Sequence, residues 1–387
     1  MQPETKVAVY YGPASWFDEQ VAEKEEEGLL EAVSALDERR KEFRLVDDRD
    51  GAERPEATER DYPERLVAKS GDYASLSEHV ISNFPGLIQS LRPLEVHLHN
   101  PPEQVRIHLE RTFRSSFKLR TYAYATVTSN ELKSFHDGFE GHLVGQEHVK
   151  DSMLSALYPL TRNRRNKPVV VMFYGPSGVG KTETAKFISE LLGGNLMRKQ
   201  FSMYQNEQFA SYIFGGKHGD SSFAHDLLDR ESGVILIDEF DKAAPVFHSA
   251  FYQFFDDGVF EDKSYRVDVG RSLIICTSNY DSEDEIQKAL GDALFSRFDA
   301  LIQFQPLSPE EILVVAERLS DRKFESLDED EKSLLDLNFI KDRASYIAQG
   351  SANIRKLGKS VDELISILLV EKLLEDAADV SPLEVKD

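Results

Sequence analysis

The middle of the chain alternates short apolar runs with amphipathic segments. The runs lie at residues 169–174, near Gln200, and at residues 233–237, 272–277 and 300–304. Continuous apolar runs of this length are typical of parallel strands buried on both faces, and the amphipathic segments between them indicate covering helices. Residues 141–307 therefore predict an α/β domain with a parallel sheet flanked by helices.

The pattern becomes helical throughout after residue 307. Ser308 and Glu311 have the spacing of a capping box, and Pro309 suits the first turn of a helix. Apolar positions then recur at helical spacing, and no run resembles a strand. Residues 308–387 are predicted to form an all-helical domain.

Residues 1–140 differ from both of these regions. Strand-like segments at residues 7–11, 94–98 and 122–127 alternate with an apolar-periodic, helix-like segment at residues 76–91. This pattern predicts a small α/β (or α+β) domain. The sequence shows no internal repeat.

Charge and cysteine usage narrow the function classes. The chain of 387 residues has 46 Lys and Arg against 69 Asp and Glu, and this net charge of −23 repels a phosphate backbone. Nucleic acid is therefore not an expected partner. The single cysteine, Cys276, allows no intrachain disulfide, which favours the reducing cytoplasm. No apolar run is long enough to predict a membrane span, so no membrane partner is expected.

Candidate chemistry begins directly after the first predicted strand of the central region. Residues 175–182 read Gly-Pro-Ser-Gly-Val-Gly-Lys-Thr and stand between a predicted strand and a predicted helix. Glycines let consecutive backbone N–H groups curl around a phosphate, and the helix N-terminus adds its positive end. Lys181 is expected to act in catalysis at the terminal phosphates, and Thr182 to bind Mg²⁺. The predicted cofactors are ATP and Mg²⁺, and the predicted binding residues are Gly175, Pro176, Ser177, Gly178, Val179, Gly180, Lys181 and Thr182.

Two further predicted strands end in polar side chains. Asp238 and Glu239 follow the run that ends at residue 237, and Asn279 follows the next run along the chain. Because the carboxyl ends of parallel strands meet at one ligand-binding edge, we expect these side chains to lie together. Asp238 is predicted to hold Mg²⁺, Glu239 to polarise the attacking water, and Asn279 to orient that water.

These residues resemble the motifs of the Clp-type clade of AAA+ ATPases, over about residues 143–370. Residues 237–243 resemble its hDEhxKA Walker B motif, and the Thr-Ser-Asn that ends at Asn279 resembles its sensor 1. The Leu-Val-Gly-Gln stretch that contains Val144 resembles the loop that meets the adenine. The resemblance implies a P-loop ATPase fold, a helical lid formed by residues 308–387, and a nucleotide contact at Val144.

The resemblance also assigns two arginines to the reaction. Residues 295–299 resemble the FxxRhD box, whose arginine is presented to the nucleotide of the neighbouring subunit, and residues 350–356 resemble the GARxLRR motif of the lid. This implies that Arg297 is a catalytic finger acting in trans, and that Arg355 contacts nucleotide and acts in catalysis. A finger in trans implies a homo-oligomeric ring, most often a hexamer in this family.

Two stretches depart from the pattern of the clade. Gly216-Lys217-His218-Gly219 stands where the clade has a GYVG pore loop, so the candidate pore-loop residues are Lys217 and His218. This pair can attract acidic groups but cannot wedge against apolar side chains. Between Asn279 and Arg297 the chain also lacks the Ile-Gly-Phe loop tip, so the Clp peptidase is not an expected partner.

The leading functional hypothesis is a magnesium-dependent ATPase ring that remodels or unfolds a restricted protein client without the Clp peptidase. Residues 1–140 resemble no family we can name and are expected to bind the client or an adaptor. The alternative is an ATP-switched, oligomerising scaffold or regulator whose N-terminal domain recruits an effector. A DNA-dependent AAA+ ATPase is the third hypothesis, and the charge disfavours it.

Overall fold

The structure is a computed structural model, and it describes residues 5–22, 27–47, 63–162, 165–203, 207–216, 220–350 and 353–379. The strands are β1 (Lys6–Tyr11), β2 (Glu27–Gly28), β3 (Arg65–Ala68), β4 (Glu95–His99), β5 (Phe117–Thr121), β6 (Val169–Tyr174), β7 (Met197–Gln200), β8 (Val234–Asp238), β9 (Val259–Glu261), β10 (Arg266–Asp268), β11 (Leu273–Thr277) and β12 (Ala300–Gln303). The helices are α1 (Ala14–Val21), α2 (Leu29–Asp47), α3 (Glu78–Ser82), α4 (Phe84–Leu91), α5 (Glu103–Thr112), α6 (Ser129–His142), α7 (Glu147–Leu157), α8 (Lys181–Leu192), α9 (Glu207–Phe214), α10 (Phe223–Leu228), α11 (Tyr252–Asp257), α12 (Glu283–Leu290), α13 (Asp292–Phe295), α14 (Pro309–Glu325), α15 (Glu329–Leu334), α16 (Leu337–Ala348) and α17 (Ile354–Asp379).

The central sheet has the strand order β12-β6-β11-β8-β7, and its neighbouring strands are all parallel. Strands β6, β8 and β11 are buried at every residue, as continuous apolar runs require when both faces of a sheet are covered. The predicted parallel α/β sheet is therefore confirmed. The loops that follow β6, β8 and β11 come together at one edge of this sheet.

Helices cover the central sheet on both faces. On one face, α6, α7 and α8 share a core with β6 that includes Phe135, Met153 and Phe173. On the other face, α9 to α13 surround a core rich in phenylalanine that includes Phe201 and Phe251. A separate antiparallel hairpin, β9 with β10, packs beside this second core.

The C-terminal helices α14 to α17 form a bundle with its own core, which we call the lid. Helix α14 begins with the predicted capping box, in which the Glu311 N–H donates to Ser308 Oγ at 3.2 Å and Glu311 Oε2 accepts from the Ser308 N–H at 2.6 Å. Within the described residues, no strand follows β12, as predicted. The buried residues of the lid include Ile312, Ala316, Ile340, Ala344, Leu357 and Val361.

The described residues between 5 and 121 form a second sheet with its own helices, and we call this part of the chain the N-terminal unit. Its strand order is β2-β3-β4-β1-β5, and every pairing is parallel, so the unit is α/β and not α+β. Helices α2, α4 and α5 pack on one face through a core that includes Phe84 and Val96. Helix α1 packs on the other face through Phe17 and Val21. Among the described residues of the whole chain, no helix is both long and apolar enough to cross a bilayer.

The strand expected at residues 122–127 is wrong. Strand β5 ends at Thr121, and residues 122–128 run without regular structure to α6. Tyr124 in this segment packs against the central region instead: its hydroxyl donates to the carbonyl oxygen of Leu228 at 3.3 Å, and the guanidinium of Arg230 lies 3.7 Å from the centre of its ring.

Candidate active site

The phosphate loop joins β6 to α8 and has the backbone that its glycines allow. Gly175 and Gly178 have φ angles of 119° and 84°, in the left-handed region. A Cβ on Gly175 would lie 2.2 Å from the carbonyl oxygen of Phe304, so a larger residue does not fit. Lys181 is the first residue of α8, and the free N–H groups in the first turn of a helix attract anions. The loop therefore has the form of an anion-binding cradle.

The ammonium of Lys181 is held inside this loop, with 8% of the residue exposed. It donates to the carbonyl oxygens of Gly175 at 2.5 Å and Pro176 at 3.0 Å, and to Asn279 Oδ1 at 3.2 Å. Burial lowers the pKa of Lys181 to about 8. A desolvated cation of this kind gains from an approaching phosphate, because the phosphate favours its charged form.

Asp238 ends β8 and is 6% exposed. Its Oδ1 accepts a hydrogen bond from the Thr277 hydroxyl at 2.5 Å, and its Oδ2 accepts two from the Arg198 guanidinium, at 2.5 and 3.0 Å. Thr277 and Arg198 lie on the two neighbouring strands, β11 and β7. The carboxylate is thus fixed between them, on the wall of the cavity that Thr182 also lines.

Glu239 follows Asp238 with a backbone that is rare for its residue type. Its φ is 55° and its ψ is 45°, the left-handed region that side chains other than glycine seldom adopt. Two contacts hold it there: its N–H donates to Thr277 Oγ1 at 2.9 Å, and its Oε2 accepts from the Gln200 side-chain amide at 3.1 Å. Backbone strain of about 1–3 kcal/mol is typical of functional sites.

One cavity of about 260 Å³ brings the predicted nucleotide site together. Its polar wall is formed by the phosphate loop and the ends of β8 and β11. Its apolar wall comes from the segment before α7 and from the lid, with Leu143, Val144 and Leu319 among its residues. The Val144 segment is fixed because Gln146, 1% exposed, exchanges two hydrogen bonds with the backbone of Gln305, at 2.8 and 3.2 Å.

The lid adds cations to the open side of this cavity. Arg355 lines it from the first turn of α17, and a Cβ on Gly178 would lie 3.8 Å from the Arg355 backbone nitrogen. Arg318 and Arg322 line it from α14. Arg322 also forms an ion pair with Glu183 of α8 at 3.5 Å, which ties the lid to the helix that follows the phosphate loop.

Arg297 lies outside the cavity that its own chain forms. Its Nε donates to Asp256 Oδ2 at 2.9 Å, and its guanidinium lies 4.6 Å from the centre of the Tyr252 ring. Two residues further on, Asp299 is bonded through its backbone N–H to the Val170 carbonyl oxygen at 2.7 Å, which fixes this segment against β6. The side chain of Arg297 therefore rests on α11, at the surface of the domain.

The structure brings most of the predicted site residues to one place. Arg297 is the exception among those described, and Lys217 and His218 lie outside the described residues. Sequence reasoning missed Arg198 and Gln200, and also Arg318 and Arg322 of the lid. The predicted residues that line the cavity are Val144, Ser177, Gly178, Val179, Gly180, Lys181, Thr182, Asp238, Glu239, Asn279 and Arg355, and Gly175 and Pro176 contact Lys181 from the same loop.

Comparison with known proteins agrees with this geometry. Residues 166–337 match the family described as AAA domain (Cdc48 subfamily). The chain is also similar to the chaperone protein ClpB of Mycoplasmoides gallisepticum, with 23% identity over 81% of this chain and 48% of the relative. It is similar to ClpE, the ATP-binding subunit of an ATP-dependent Clp protease of Lactococcus lactis, with 26% identity over 63% of this chain and 37% of the relative. It is also similar to the ClpA homolog protein of Fuscovulum blasticum, with 30% identity over 52% of this chain and 29% of the relative.

The chain contains a Clp-type AAA+ ATPase module. The family match covers the central sheet and the helices α14 and α15 of the lid, and the class of the module is that of an ATPase. The chain spans less than half the length of each of these relatives.

The residues of the AAA+ module suit a magnesium nucleotide. The cradle of the phosphate loop and the buried Lys181 ammonium suit anionic phosphates, and the Asp238 carboxylate with the Thr182 hydroxyl offers the oxygen ligands that Mg²⁺ prefers. The apolar wall beside Val144 suits a flat base. When bound, Mg²⁺ would neutralise charge on the phosphates.

Proposed function

We propose that this chain is a magnesium-dependent ATPase that works as a homo-oligomeric ring, most simply a hexamer, in the cytoplasm. Its activity would remodel or unfold a restricted protein client, without the Clp peptidase. The N-terminal unit would bind that client or an adaptor. Residues 141–307 and 308–387 would be the two parts of the motor.

One observation carries the proposed reaction: Lys181, Glu239 and Asn279 meet at one end of a cavity whose other end is apolar. In the reaction, the phosphate loop and Lys181 hold the terminal phosphates, and Glu239 accepts a proton from the attacking water. Asn279 orients that water by its amide. Preorganised groups of this kind act mainly by holding charge where it develops.

Arg297 supports the ring. Because its side chain lies on α11 and outside its own cavity, it is available to a neighbouring subunit and not to its own nucleotide. An arginine supplied in trans is worth about 10³-fold or more in the rate of phosphoryl transfer. Turnover would then depend on assembly.

The sequence of the candidate pore loop favours a second function. Lys217 and His218 replace an aromatic–aliphatic pair, so the grip on an unfolded chain would depend on charge and not on apolar shape. A nucleotide-switched scaffold needs no such grip. This alternative keeps the ATPase and the ring, and gives the N-terminal unit an effector in place of a client.

ATP turnover tests both functions when it is measured against chain concentration and added polypeptide. A remodeller should turn over faster with an unfolded acidic polypeptide than with a basic one of equal length, because Lys217 and His218 attract acidic groups. A scaffold should respond to its own concentration alone. Stimulation by single-stranded DNA would favour the third hypothesis, and no turnover at any concentration would remove the proposed ATPase.

A further inference from the structure

The N-terminal unit has the same strand order as the nucleotide-binding sheet. Numbered along the chain within each sheet, the strands of both sheets have the order 5-1-4-3-2, and all of them are parallel. In both sheets, the residue after the last strand forms the same backbone hydrogen bond with the last residue of the first strand. The N–H of Tyr122 donates to the carbonyl oxygen of Tyr11 at 2.8 Å, and the N–H of Phe304 donates to that of Tyr174 at 2.8 Å. The first strand of each sheet also ends in a tyrosine, Tyr11 or Tyr174, and Gly-Pro follows it in both cases.

The features that hold a nucleotide are absent from the described residues of this second sheet. Six residues, 175–180, separate β6 from α8, whereas only Gly12 and Pro13 separate β1 from α1. The chain has no length for a phosphate cradle there. The register of β3 with β4 also places Lys69 where the central sheet has Asp238, so a cation replaces the proposed metal ligand.

Side chains fill the place that the cradle would take. Asn100 is fully buried and bonded twice to Gly12, through Oδ1 at 3.0 Å and Nδ2 at 2.9 Å. His99 Nε2 lies 2.8 Å from the Gly12 carbonyl oxygen. The Trp16 ring packs against that of Tyr122 at an angle of 59°, with 5.5 Å between the ring centres. A phosphate group would have to displace this packed cluster.

The helix N-termini at this edge are satisfied by the ATPase module. Ala14 and Glu103 are the first residues of α1 and α5, so their N–H groups have no partner within their helices. The Ala14 N–H donates to Asp229 Oδ1 at 3.0 Å, and the Glu103 N–H donates to the carbonyl oxygen of Ser264 at 2.8 Å. A carboxylate of the module therefore lies at the N-terminus of α1, the counterpart of the phosphate-loop helix α8, and a carbonyl of the module lies at the N-terminus of α5.

Apolar contacts join the two units at the same edge. The Tyr11 side chain packs against both the core of the N-terminal unit and that of the central sheet. The Tyr124 ring covers Arg230, which is 4% exposed. Asp229 and Arg230 lie in the segment that joins α10 to β8, the strand that ends in Asp238.

We infer that the N-terminal unit is a second, nucleotide-free sheet of the nucleotide-binding type, whose former ligand edge grips the ATPase module of its own chain. The chain then binds one nucleotide and not two. The N-terminal unit is then fixed to the motor, and it contacts the residues between α10 and β8. This inference concerns the docking edge and does not depend on which client or effector is bound.

Nucleotide stoichiometry tests the first half of the inference. Equilibrium dialysis of the full chain with a non-hydrolysable ATP analogue and Mg²⁺ should give one nucleotide per chain, and Lys181→Ala should abolish it. A second equivalent, or saturable binding that survives in Lys181→Ala, would overturn the inference. No binding by the unaltered chain would instead remove the proposed function, and leaves the docking edge to the next experiment.

Amide hydrogen exchange at single residues of the full chain tests the docking edge without nucleotide. The Ala14 and Glu103 amides should both be protected, although first-turn amides normally are not. Asp229→Ala should speed exchange at Ala14 by roughly 10-fold, the effect of one lost hydrogen bond. Asp229→Asn keeps the acceptor oxygen and should leave it protected. Unprotected amides in the unaltered chain, or equal protection in Asp229→Ala, would overturn the docked edge.

Discussion

Arg198 donates two hydrogen bonds to one carboxylate oxygen of Asp238, from Nη2 at 2.5 Å and from Nε at 3.0 Å. Asp238 is buried, whereas 39% of the Arg198 side chain is exposed. The proposed metal ligand is thus paired with a cation in this structure. Because Arg198 and a bound Mg²⁺ would share one carboxylate, the two cations should compete.

Removing Arg198 should therefore strengthen Mg²⁺ binding. We expect Arg198→Gln to lower the Mg²⁺ concentration for half-maximal nucleotide binding by several-fold, on the order of one charge-assisted hydrogen bond. Titration of Mg²⁺ against a fluorescent ATP analogue measures this without turnover. Arg266 forms a surface ion pair with Glu261, so Arg266→Gln is a matched control that should change nothing. If Arg198→Gln needs the same Mg²⁺ concentration as the unaltered chain, or a higher one, the two cations do not compete.

Glu239→Gln should bind ATP and Mg²⁺ but turn over at least ~100-fold more slowly, because the attacking water loses its base while the phosphate cradle survives. The variant should also accumulate as the ATP-bound oligomer. Turnover and nucleotide affinity have to be measured on the same preparation. Near-normal turnover would take Glu239 out of the mechanism, and lost ATP binding would give it a structural role.

Gln200 should act through Glu239. Its amide holds Glu239 Oε2 at 3.1 Å, so Gln200→Ala should reduce turnover by roughly 10-fold, the effect of one hydrogen bond to a charged group. Nucleotide affinity should stay the same. In a Glu239→Gln background, Gln200→Ala should have no further effect on turnover, because the group it positions is already lost. Equal losses in both backgrounds would mean that Gln200 supports the fold and not Glu239.

The phosphate loop, Asp238, Glu239 and Asn279 could be predicted because each directly follows a strong apolar run. Parallel strands that are buried on both faces place the residues after them at one edge, so the sequence pattern alone brings these side chains together. Arg198 and Gln200 could not be found in this way. They lie on β7, whose residues Met-Arg-Lys-Gln have no strand-like apolar pattern, and their positions depend on the pairing of β7 with β8.

The N-terminal unit was the least predictable part of the fold. Its strand order depends on pairings between distant segments, for example β1 with β4, and the glycine-rich loop that marks this topology is missing. The aromatic alternation at residues 122–127 predicted a strand, but Tyr124 is used to cover Arg230. Tertiary contacts of this kind override strand propensity.

Lys181 should make nucleotide affinity depend on pH. Its pKa in the free protein is about 8, below the usual 10.5, and phosphate favours the ammonium form. We therefore expect ATP affinity to fall as the pH rises above about 8, with close to one proton taken up on binding near pH 9. In the absence of nucleotide, the free energy of unfolding should rise between about pH 8 and pH 10.5. In this range Lys181 is protonated in the unfolded chain and largely deprotonated in the folded one, so raising the pH disfavours unfolding. Calorimetry of ATP binding in buffers of different ionisation enthalpy measures the proton uptake on binding. Lys181→Arg stays charged and should bind without uptake, and equal uptake by that variant would assign the proton to another group.

Mixing of variants decides whether Arg297 acts in trans. Arg297→Ala removes a side chain that lies on Asp256 and outside its own cavity, so this variant keeps an intact nucleotide site. Lys181→Ala loses its own site but keeps its finger. Each variant alone should turn over ATP slowly. The turnover of a mixture should exceed the sum of the two separate rates, because intact nucleotide sites then meet intact arginine fingers at subunit boundaries. Arg266, which forms a surface ion pair with Glu261, provides the control. Arg266→Ala should be active without being mixed with a second variant. A mixture that never exceeds the sum, or full turnover by a monomer at high dilution, would place the complete site within one chain.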